Sequence, residues 1–544
     1  HLNLMYSIDK ELDDCIATKL KDICNIVEIN YGRKYEPDGV ASILNLLRFN
    51  EQEGKQAGLF SSENINKLIN NYANDTRFMT HASLHAIKPF TCVCLTCGNK
   101  LQLESGQVVN VFMNERVETG MIYRGRCCGN EYYPNSYVTQ RKRMVTIDCV
   151  RNRPYIYCGG KNVYKIELLI RFSSDLSYMY TGFENFCEAY NQTIRGIMIN
   201  NNDPAIINQP LLERRAFQNA WLIYSTAKFT FLTSNQKELE IPVNISSREE
   251  RNNYFANNYS TWNKNFSLFW SNHKNTHKCG EHCSFALVMD GFAKSDRFIC
   301  QFTDELVKSK ELGEVPWGCG IRPERMRDSN KTSGWSGQTF CEKHRHLNNG
   351  QRDQDSELID DYKDDDCNVF RSERYSNRLT SYGVIISMLN CGIVVNFHEL
   401  YRSEGPIRAL HHVFVTIDNW SPFVPLPAFL IYDNACGLWK TFDTRMKNQR
   451  ITRTPTTDKL KSMQFVVDKF HITNHKRKMC ETFTNPWKYL ELQNINTQVC
   501  EQFNSKVKQY QNALSSYSAP KSEIFYLLLF NLLNYNRVNI PFFK

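Results

Sequence analysis

The spacing of apolar positions changes several times along the chain, and each change predicts a different kind of structure. Apolar residues recur at helical spacing through Ile8–Ile26 and Ala41–Leu47, so residues 1–88 are expected to be mainly helical. Over residues 89–165, β-branched residues, glycines and cysteines replace that pattern, which predicts a β-rich module. Helical spacing returns over residues 166–278 and predicts a helical connecting domain. The elements expected in these two regions are strands at Gln107–Phe112 and within Val145–Tyr157, and helices around Phe183–Tyr190, Arg215–Tyr224 and Arg248–Trp270.

From about residue 279 the pattern alternates between apolar strands and helices, which favours an α/β sheet over residues 279–513. Residues 303–380 interrupt this alternation with glycine, proline, tryptophan, cysteine and the acidic run Asp360–Asp366, and we interpret them as an insertion that is partly zinc-bound and partly a loop. As a domain, the zinc-containing insertion is placed at about residues 297–380. Residues 514–544 are expected to form a C-terminal helix. The expected strands are Ser284–Met289, Arg297–Phe302, Gly392–Leu400, Ala428–Tyr432 and Gln464–Val467, and the expected helices are Pro406–Phe414 and Thr497–Ala513.

Composition limits the class of protein. Hydrophobic residues make up 42% of the 544 residues, which suffices for packed cores, and no apolar run is long enough for a membrane span. The net charge of +9 suits a polyanionic partner without requiring one. No signal peptide is evident. The chain begins at His1, so we expect a fragment from which a targeting or DNA-binding region could be missing.

Two apolar strands end in an aspartate. The segment FALVMDG reaches Asp290 and the segment AFLIYDNAC reaches Asp433. If the strands are neighbours, both carboxylates lie at the same edge of the sheet, and Glu501 on a packed helix could complete a set of hard oxygen ligands for Mg²⁺ or Mn²⁺. Each acid taken alone could equally terminate a strand or lie on a solvated helix.

The 20 cysteines are spaced with histidines in patterns typical of zinc sites in a reducing compartment. A first cluster is Cys94, Cys97, Cys127 and Cys128, with Cys92 as a substitute. A second is Cys300, Cys319, Cys341 and His344. Cys279 and Cys283, preceded by His277, could join that site or form another.

A third group follows Asp433 and contains Cys436, His471, His475 and Cys480. These residues could bind zinc, or His471 could serve at the active site. Free buried cysteines and uncoordinated histidines remain alternatives for all of these groups. Basic stretches that could contact phosphates are Gln140–Arg143, Arg445–Arg453 and His475–Lys478, with Trp439 and Trp487 nearby.

These motifs resemble the KDZ (Kyakuja-Dileera-Zisupton) transposase-related proteins. CLTCG with RCCGNEYYPNSY looks like a CxC5-type cluster at 89–165, and DRFIC, WGCGIRPE and SGQTFCEKH look like a CxC6-type cluster within the insertion. LVMDG, YDNAC and DKFH, the last preceding NTQVCEQFN, are similar to the core of the family. The resemblance covers roughly residues 90–510. Cys127–Cys128 departs from the expected CxxC pair.

The resemblance implies a ribonuclease-H-like core in which Asp290, Asp433 and Glu501 form a DDE triad, with Asp468 and His471 matching the family's Cys/Asp-x-x-His motif. It implies Mg²⁺ or Mn²⁺ for catalysis, structural Zn²⁺, and a nuclear protein that cleaves DNA and transfers strands. DNA is the expected partner, a membrane is not, and the chain could act as a homodimer. The alternatives are a domesticated, non-catalytic DNA- or chromatin-binding protein and a zinc hydrolase using His471.

Overall fold

The computed structural model describes most of the chain. The described residues are 2–11, 19–49, 85–151, 153–201, 209–275, 279–280, 282–292, 297–323, 325–327, 335–337, 339–349, 380–515 and 517–540. His277 and the acidic run Asp360–Asp366 therefore lie outside the described residues.

The chain divides into two compact units. Unit 1 comprises residues 1–174, 183–231 and 235–251, and unit 2 comprises residues 175–182, 232–234 and 252–544. The helices of unit 1 are α1 (Leu2–Glu11), α2 (Lys19–Tyr31), α3 (Pro37–Phe49), α4 (Ile147–Val150), α5 (Ile166–Met179), α6 (Phe183–Asn200) and α7 (Arg214–Thr233). Its strands are β1 (His85–Ile87), β2 (Gln102–Phe112), β3 (Val117–Cys127), β4 (Asn130–Tyr133), β5 (Ser136–Thr139), β6 (Lys142–Thr146), β7 (Tyr155–Tyr157), β8 (Asn162–Lys165) and β9 (Glu238–Ile241).

The strands of unit 1 form one nine-stranded sheet in the order β7-β8-β2-β3-β4-β5-β6-β9, with β1 paired to β3. Most neighbours are antiparallel, whereas β1 with β3 and β2 with β8 are parallel. Alternate apolar side chains of β2 and β3, such as Val109, Val111 and Ile122, are buried in one core, as the period of two along a strand requires. The β-rich character expected for this region is confirmed.

Unit 2 alternates strands with helices. Its helices are α8 (Arg248–Ser271), α9 (Pro406–Asp418), α10 (Ala435–Lys447), α11 (Pro455–Ser462), α12 (Lys478–Thr482), α13 (Val499–Val507), α14 (Gln511–Leu514) and α15 (Lys521–Arg537). Its strands are β10 (Ala286–Phe292), β11 (Leu306–Ser309), β12 (Gly313–Pro316), β13 (Arg325–Arg327), β14 (Trp335–Gly337), β15 (Gly383–Leu389), β16 (Val394–Leu400), β17 (Phe429–Tyr432) and β18 (Gln464–Val466).

The central sheet of unit 2 has five strands in the order β16-β15-β10-β17-β18. β15 runs antiparallel to both β10 and β16, whereas β17 is parallel to β10 and β18 is parallel to β17. Within this sheet, β10, β15 and β16 therefore form an antiparallel meander. β17 and β18 extend the sheet on the other side of β10 and run parallel to it. β15 and β17 are wholly buried, as strands at the middle of a covered sheet must be. The mixed α/β class predicted from the alternation is confirmed.

Three details of the expected secondary structure are wrong. Arg297–Phe302 forms no strand, because Arg297 is held in a buried ion pair and Cys300 faces a cysteine cluster, and only an isolated bridge forms at Phe298. β15 was not foreseen, although it pairs with β10. The helix expected over Thr497–Ala513 is interrupted by a 3₁₀ turn at Lys508–Tyr510, but its apolar stripe is buried as expected.

Candidate active site and cysteine clusters

The pairing of β10 with β17 places Asp290 beside Asp433. Met289 lies opposite Tyr432 in the parallel register, and the residue after each of them is the aspartate. β10 continues two residues beyond Asp290, so this acid lies within its strand, whereas Asp433 directly follows β17. The two carboxylates therefore meet at the edge where the parallel strands end.

Glu501 reaches the same place from α13. The Sγ of Cys500 contacts the carbonyl oxygen of Val288 on β10 at 3.3 Å, which holds the first turn of this helix against the sheet. A small pocket results, and we call it the carboxylate pocket. It is lined by Val288, Met289, Asp290, Ile431, Tyr432, Asp433, Asp468, Thr497, Cys500 and Glu501.

The electrostatics of the carboxylate pocket disfavour three free negative charges. Burial holds the pKa of Asp290 well above its usual range, and the charges of Asp433, Glu404 and Glu501 raise it further. Burial also raises the pKa of Asp433. Carboxylates that repel one another in a partly buried site are stabilised by a bound cation.

Glu404 is an acid that the sequence analysis missed. It follows β16, and its Oε1 accepts a hydrogen bond of 2.7 Å from the hydroxyl of Tyr432. Burial, followed by the charge of Asp433, raises the pKa of Glu404 to about 7. A Cβ at Gly291 would collide with the Glu404 carboxylate, so glycine beside Asp290 leaves room for this acid. Glu404 could have been found in the sequence by the signal that identified Asp433, which is an acid shortly after an apolar strand.

Asn504 is a second residue that was missed. Its Nδ2 donates to Oδ2 of Asp290 at 2.6 Å, while its Oδ1 is buried without a hydrogen-bond partner among the described residues. Asn504 lies on the same face of α13 as Glu501, one turn later. It therefore orients one carboxylate from the helix that supplies another.

His471 lies at the carboxylate pocket rather than in a cysteine cluster. Its Nδ1 is 2.6 Å from Oδ2 of Asp468, and its Nε2 is 3.7 Å from Oε1 of Glu501. The hydrogen bond to Asp468 raises the pKa of His471. Of the two roles considered for this residue, the geometry favours the one at the acidic site.

The first cysteine cluster, in unit 1, brings together Cys94, Cys97, Cys127 and Cys128, whose sulfur atoms all lie within 4.8 Å of one another. Cys128 has a positive φ of 51°, and this left-handed turn lets two adjacent thiols face one point. The backbone N–H of Thr96 points at Sγ of Cys94 (3.4 Å). Cys92 is exposed and lies outside the group.

The second cluster, in unit 2, brings together Cys300, Cys319, Cys341 and His344, all of them buried. Nδ1 of His344 lies 3.5 Å from Sγ of Cys300 and 3.4 Å from Sγ of Cys341. Cys279 and Cys283 do not join this cluster. They lie with His273 and Cys391, two residues that the sequence analysis did not name.

A third cluster joins Cys436 at the start of α10 with His475 and Cys480. Nδ1 of His475 lies 3.5 Å from Sγ of Cys436 and 3.4 Å from Sγ of Cys480. His475 and His471 point to different sites because the segment between them is a 3₁₀ turn, not the α-helix considered from the sequence. These thiolate and imidazole groups fit zinc, which prefers such ligands in tetrahedral sites.

Within the basic stretch Gln140–Arg143, Arg143 is not available to contact phosphates. This side chain is buried and donates to the hydroxyl of Ser136 and to the carbonyl oxygens of Tyr157 and Cys158. Lys142 is paired with Glu240.

The acids and the cysteine clusters of unit 2 define a mixed α/β protein with a carboxylate site and Cys/His groups that could bind zinc. Comparison with protein families matches residues 321–523 to the family described as Kyakuja-Dileera-Zisupton transposase, KDZ. This confirms the resemblance for that segment, which includes Glu404, Asp433, His471 and Glu501, whereas Asp290 lies upstream of it. No curated protein and no solved structure matches the chain.

None of the helices in the described parts of the chain has the combination of length and apolar character that crossing a membrane demands.

Proposed function

We propose that this protein is a transposase-derived nuclease with a ribonuclease-H-like core, in which Asp290, Asp433 and Glu501 form a DDE triad. The observation that carries the proposal is the meeting of these three acids in one pocket, although two come from separate strands and one from a helix. The strand order of the sheet, an antiparallel meander extended by two parallel strands, supports the fold. The KDZ match supports descent from a DNA transposase.

The donor set of the carboxylate pocket fits Mg²⁺ or Mn²⁺, because it offers carboxylate oxygens and because burial, followed by the charges of the neighbouring acids, raises the pKa of Asp290. Asp290, Asp433 and Glu501 would hold the ions, which when bound would activate a water or a DNA 3′-hydroxyl and stabilise the leaving oxygen of a phosphodiester. Asn504 would fix the rotamer of Asp290.

The Asp468–His471 pair would act on the third acid. Asp468 accepts from Nδ1 of His471, so Nε2 faces Glu501 with a fixed ring orientation. A protonated His471 would donate to the Glu501 carboxylate and hold it toward the pocket. His471 is thus a positioning residue in this proposal and can retain a proton close to the reacting groups.

DNA is the proposed substrate. Exposed aromatic side chains at Phe470 and Trp487 line a wider pocket that shares Thr497 with the carboxylate pocket. Aromatic faces next to cationic side chains suit unpaired bases and their phosphates. The cations exposed on the same segment are Lys476, Lys478 and Lys488. A nuclear location and a homodimer complete the proposal by analogy with a transposase.

The test is Mn²⁺-dependent nicking of supercoiled plasmid by the full chain, compared with the Asp433→Asn variant. We expect the variant to lose activity by about a thousand-fold, because several kcal/mol of transition-state stabilisation depend on the metal. Asp443→Asn is the matched control, since Asp443 is a half-buried acid that pairs with Lys447 within α10 and does not line the carboxylate pocket. Equal nicking by wild type and Asp433→Asn would dismiss the catalytic proposal. DNA binding without nicking by the wild type would favour a domesticated binding protein.

A further inference from the structure

A fourth group of metal-ligand side chains lies in unit 2, next to the strand that carries Asp290. It consists of His273, Cys279, Cys283 and Cys391, whose ligand atoms all lie within 4.8 Å of one another. The proposed nuclease chemistry does not use these residues. All but Cys391 lie outside the segment that matches the KDZ family.

The imidazole of His273 is oriented like that of a metal ligand. Its Nδ1 donates to the carbonyl oxygen of Trp270 at 3.1 Å, which leaves Nε2 as the acceptor nitrogen. Nε2 lies 3.1 Å from Sγ of Cys283 and 3.6 Å from Sγ of Cys391. Histidines that bind metal through one nitrogen commonly donate from the other to a carbonyl, because this fixes the tautomer and the ring plane. His273 is also fully buried.

The backbone that carries the cysteines is fixed independently of any metal. Asn390, directly before Cys391, accepts hydrogen bonds from the N–H groups of Phe285 and Ala286 and donates to the carbonyl oxygen of His282. This side chain links the turn between β15 and β16 to the segment that follows Cys283. These hydrogen bonds hold the backbone around Cys283 next to the backbone around Cys391, so the two cysteines are brought together by several backbone contacts.

A disulfide accounts for this geometry less well than a metal does. A disulfide would join two of the thiols and would not explain why the third thiol and the imidazole converge on the same point. In a tetrahedral zinc site with bonds of about 2.0–2.3 Å, neighbouring ligand atoms are about 3.5–3.8 Å apart. The 3.6 Å between Nε2 of His273 and Sγ of Cys391 matches that spacing.

We infer that His273, Cys279, Cys283 and Cys391 form a structural zinc site of the Cys₃His type. The site joins the end of α8 and the loop before β10 to the turn between β15 and β16. Since Asp290 lies on β10, a zinc ion here braces the strand that supplies the first acid of the carboxylate pocket. The zinc site itself does not depend on the nuclease proposal.

The first test measures zinc per chain in the purified full-length protein after loosely bound metal has been removed. The Cys283→Ser and Cys391→Ser variants are each expected to lose about one zinc equivalent relative to the wild type, because a closed site needs all four ligands. Cys187→Ser is the matched control, since Cys187 is buried on α6 and belongs to none of the four groups. Unchanged zinc content in both variants would overturn the inference.

A second measurement uses the unmutated chain and so does not depend on the folding of a variant. Cysteines are alkylated in the native protein with and without a zinc chelator, and the modified positions are identified by mass spectrometry. Cys279, Cys283 and Cys391 are expected to be protected together and to become reactive together when zinc is removed. Cys92, which is exposed and outside the groups, should react in both states. Alkylation of Cys279 and Cys391 at the same rate with and without chelator would contradict the site.

Discussion

Two groups of buried acids in unit 2 differ in how their negative charge is compensated. In the first, which we call the buried ion network, Glu399 is 2% exposed and its Oε1 lies 2.7 Å from Nε of the equally buried Arg297. Oε2 of Glu399 accepts from the hydroxyl of Ser522, and Tyr401 donates to Glu523. In the carboxylate pocket, Asp290 instead faces Asp433, Glu404 and Glu501, and the opposing charges that act on Asp433 come from His471 and His475.

The difference separates a structural use of buried acids from the functional use that we propose for the carboxylate pocket. The buried ion network is compensated within the protein, since the guanidinium of Arg297 also donates to the carbonyl oxygen of Gly320 and lies over the ring of Tyr401. The carboxylate pocket is left with excess negative charge, which a divalent cation would neutralise. Breaking the Arg297–Glu399 ion pair should therefore destabilise the protein, whereas removing an acid from the carboxylate pocket should stabilise the chain without bound divalent cation.

The largest effect is expected for Arg297→Met. Removing this cation leaves Glu399 buried without its charge partner, which typically costs about 3–5 kcal/mol of folding free energy. Chemical denaturation followed by tryptophan fluorescence measures the change. The double variant Arg297→Met with Glu399→Gln should recover much of the loss. Wild-type stability of the single variant would contradict a structural role for the Arg297–Glu399 pair.

Glu523 provides a pH test of the same network. Burial, followed by the charge of Glu399, raises the pKa of Glu523 to about 7. A carboxyl group with a raised pKa in the folded state favours folding below its unfolded pKa, near 4.5, and this contribution disappears as the pH rises toward 7. Glu523→Gln should therefore stabilise the protein at pH 8, by up to about 3 kcal/mol, and have little effect at pH 4.5. Denaturation of both proteins at the two pH values measures this. A gain that is the same at both pH values would contradict the assignment.

Gly291→Ala tests the packing of the carboxylate pocket without removing an acid. The added methyl group would collide with the Glu404 carboxylate, and such overpacking typically costs about 1–3 kcal/mol. The Gly291→Ala variant should lose both stability and nicking activity. Combining it with Glu404→Ala should restore stability, because the obstructing group is gone. Additive effects in this double-mutant cycle would show that the two residues do not contact each other.

The smallest expected effect is an increase in stability. Asp433→Asn removes one of the mutually repelling acids, so the chain without Mg²⁺ or Mn²⁺ should be more stable by about 1 kcal/mol, although it loses activity. Thermal denaturation in a buffer without these ions and without a chelator, so that zinc is retained, measures the change. Glu399→Gln is the contrasting variant and should destabilise. Destabilisation by both variants would remove the distinction between the two groups of acids.

The amino-acid sequence by itself was sufficient to predict features that are recognisable from residues a few positions apart. Asp290 and Asp433 each follow a short apolar run of the kind that forms a buried strand. Cys94 and Cys97, and likewise Cys341 and His344, have the short spacing of a chelating turn. The alternation of strands and helices likewise predicted the α/β class of unit 2. Local spacing was sufficient for these features because each depends on residues a few positions apart.

Only the tertiary structure determined which distant residues meet. His273 and Cys391 are 118 positions apart and Asn504 is 214 positions from Asp290, so no spacing rule connects them. Glu404 lies beside the carboxylate pocket, against Tyr432, because β16 and β17 belong to one sheet. His471 and His475 point to different sites because the segment between them adopts a tight turn. Contacts of this kind depend on strand register and on helix packing, which are set by the burial of the whole core and not by any one segment.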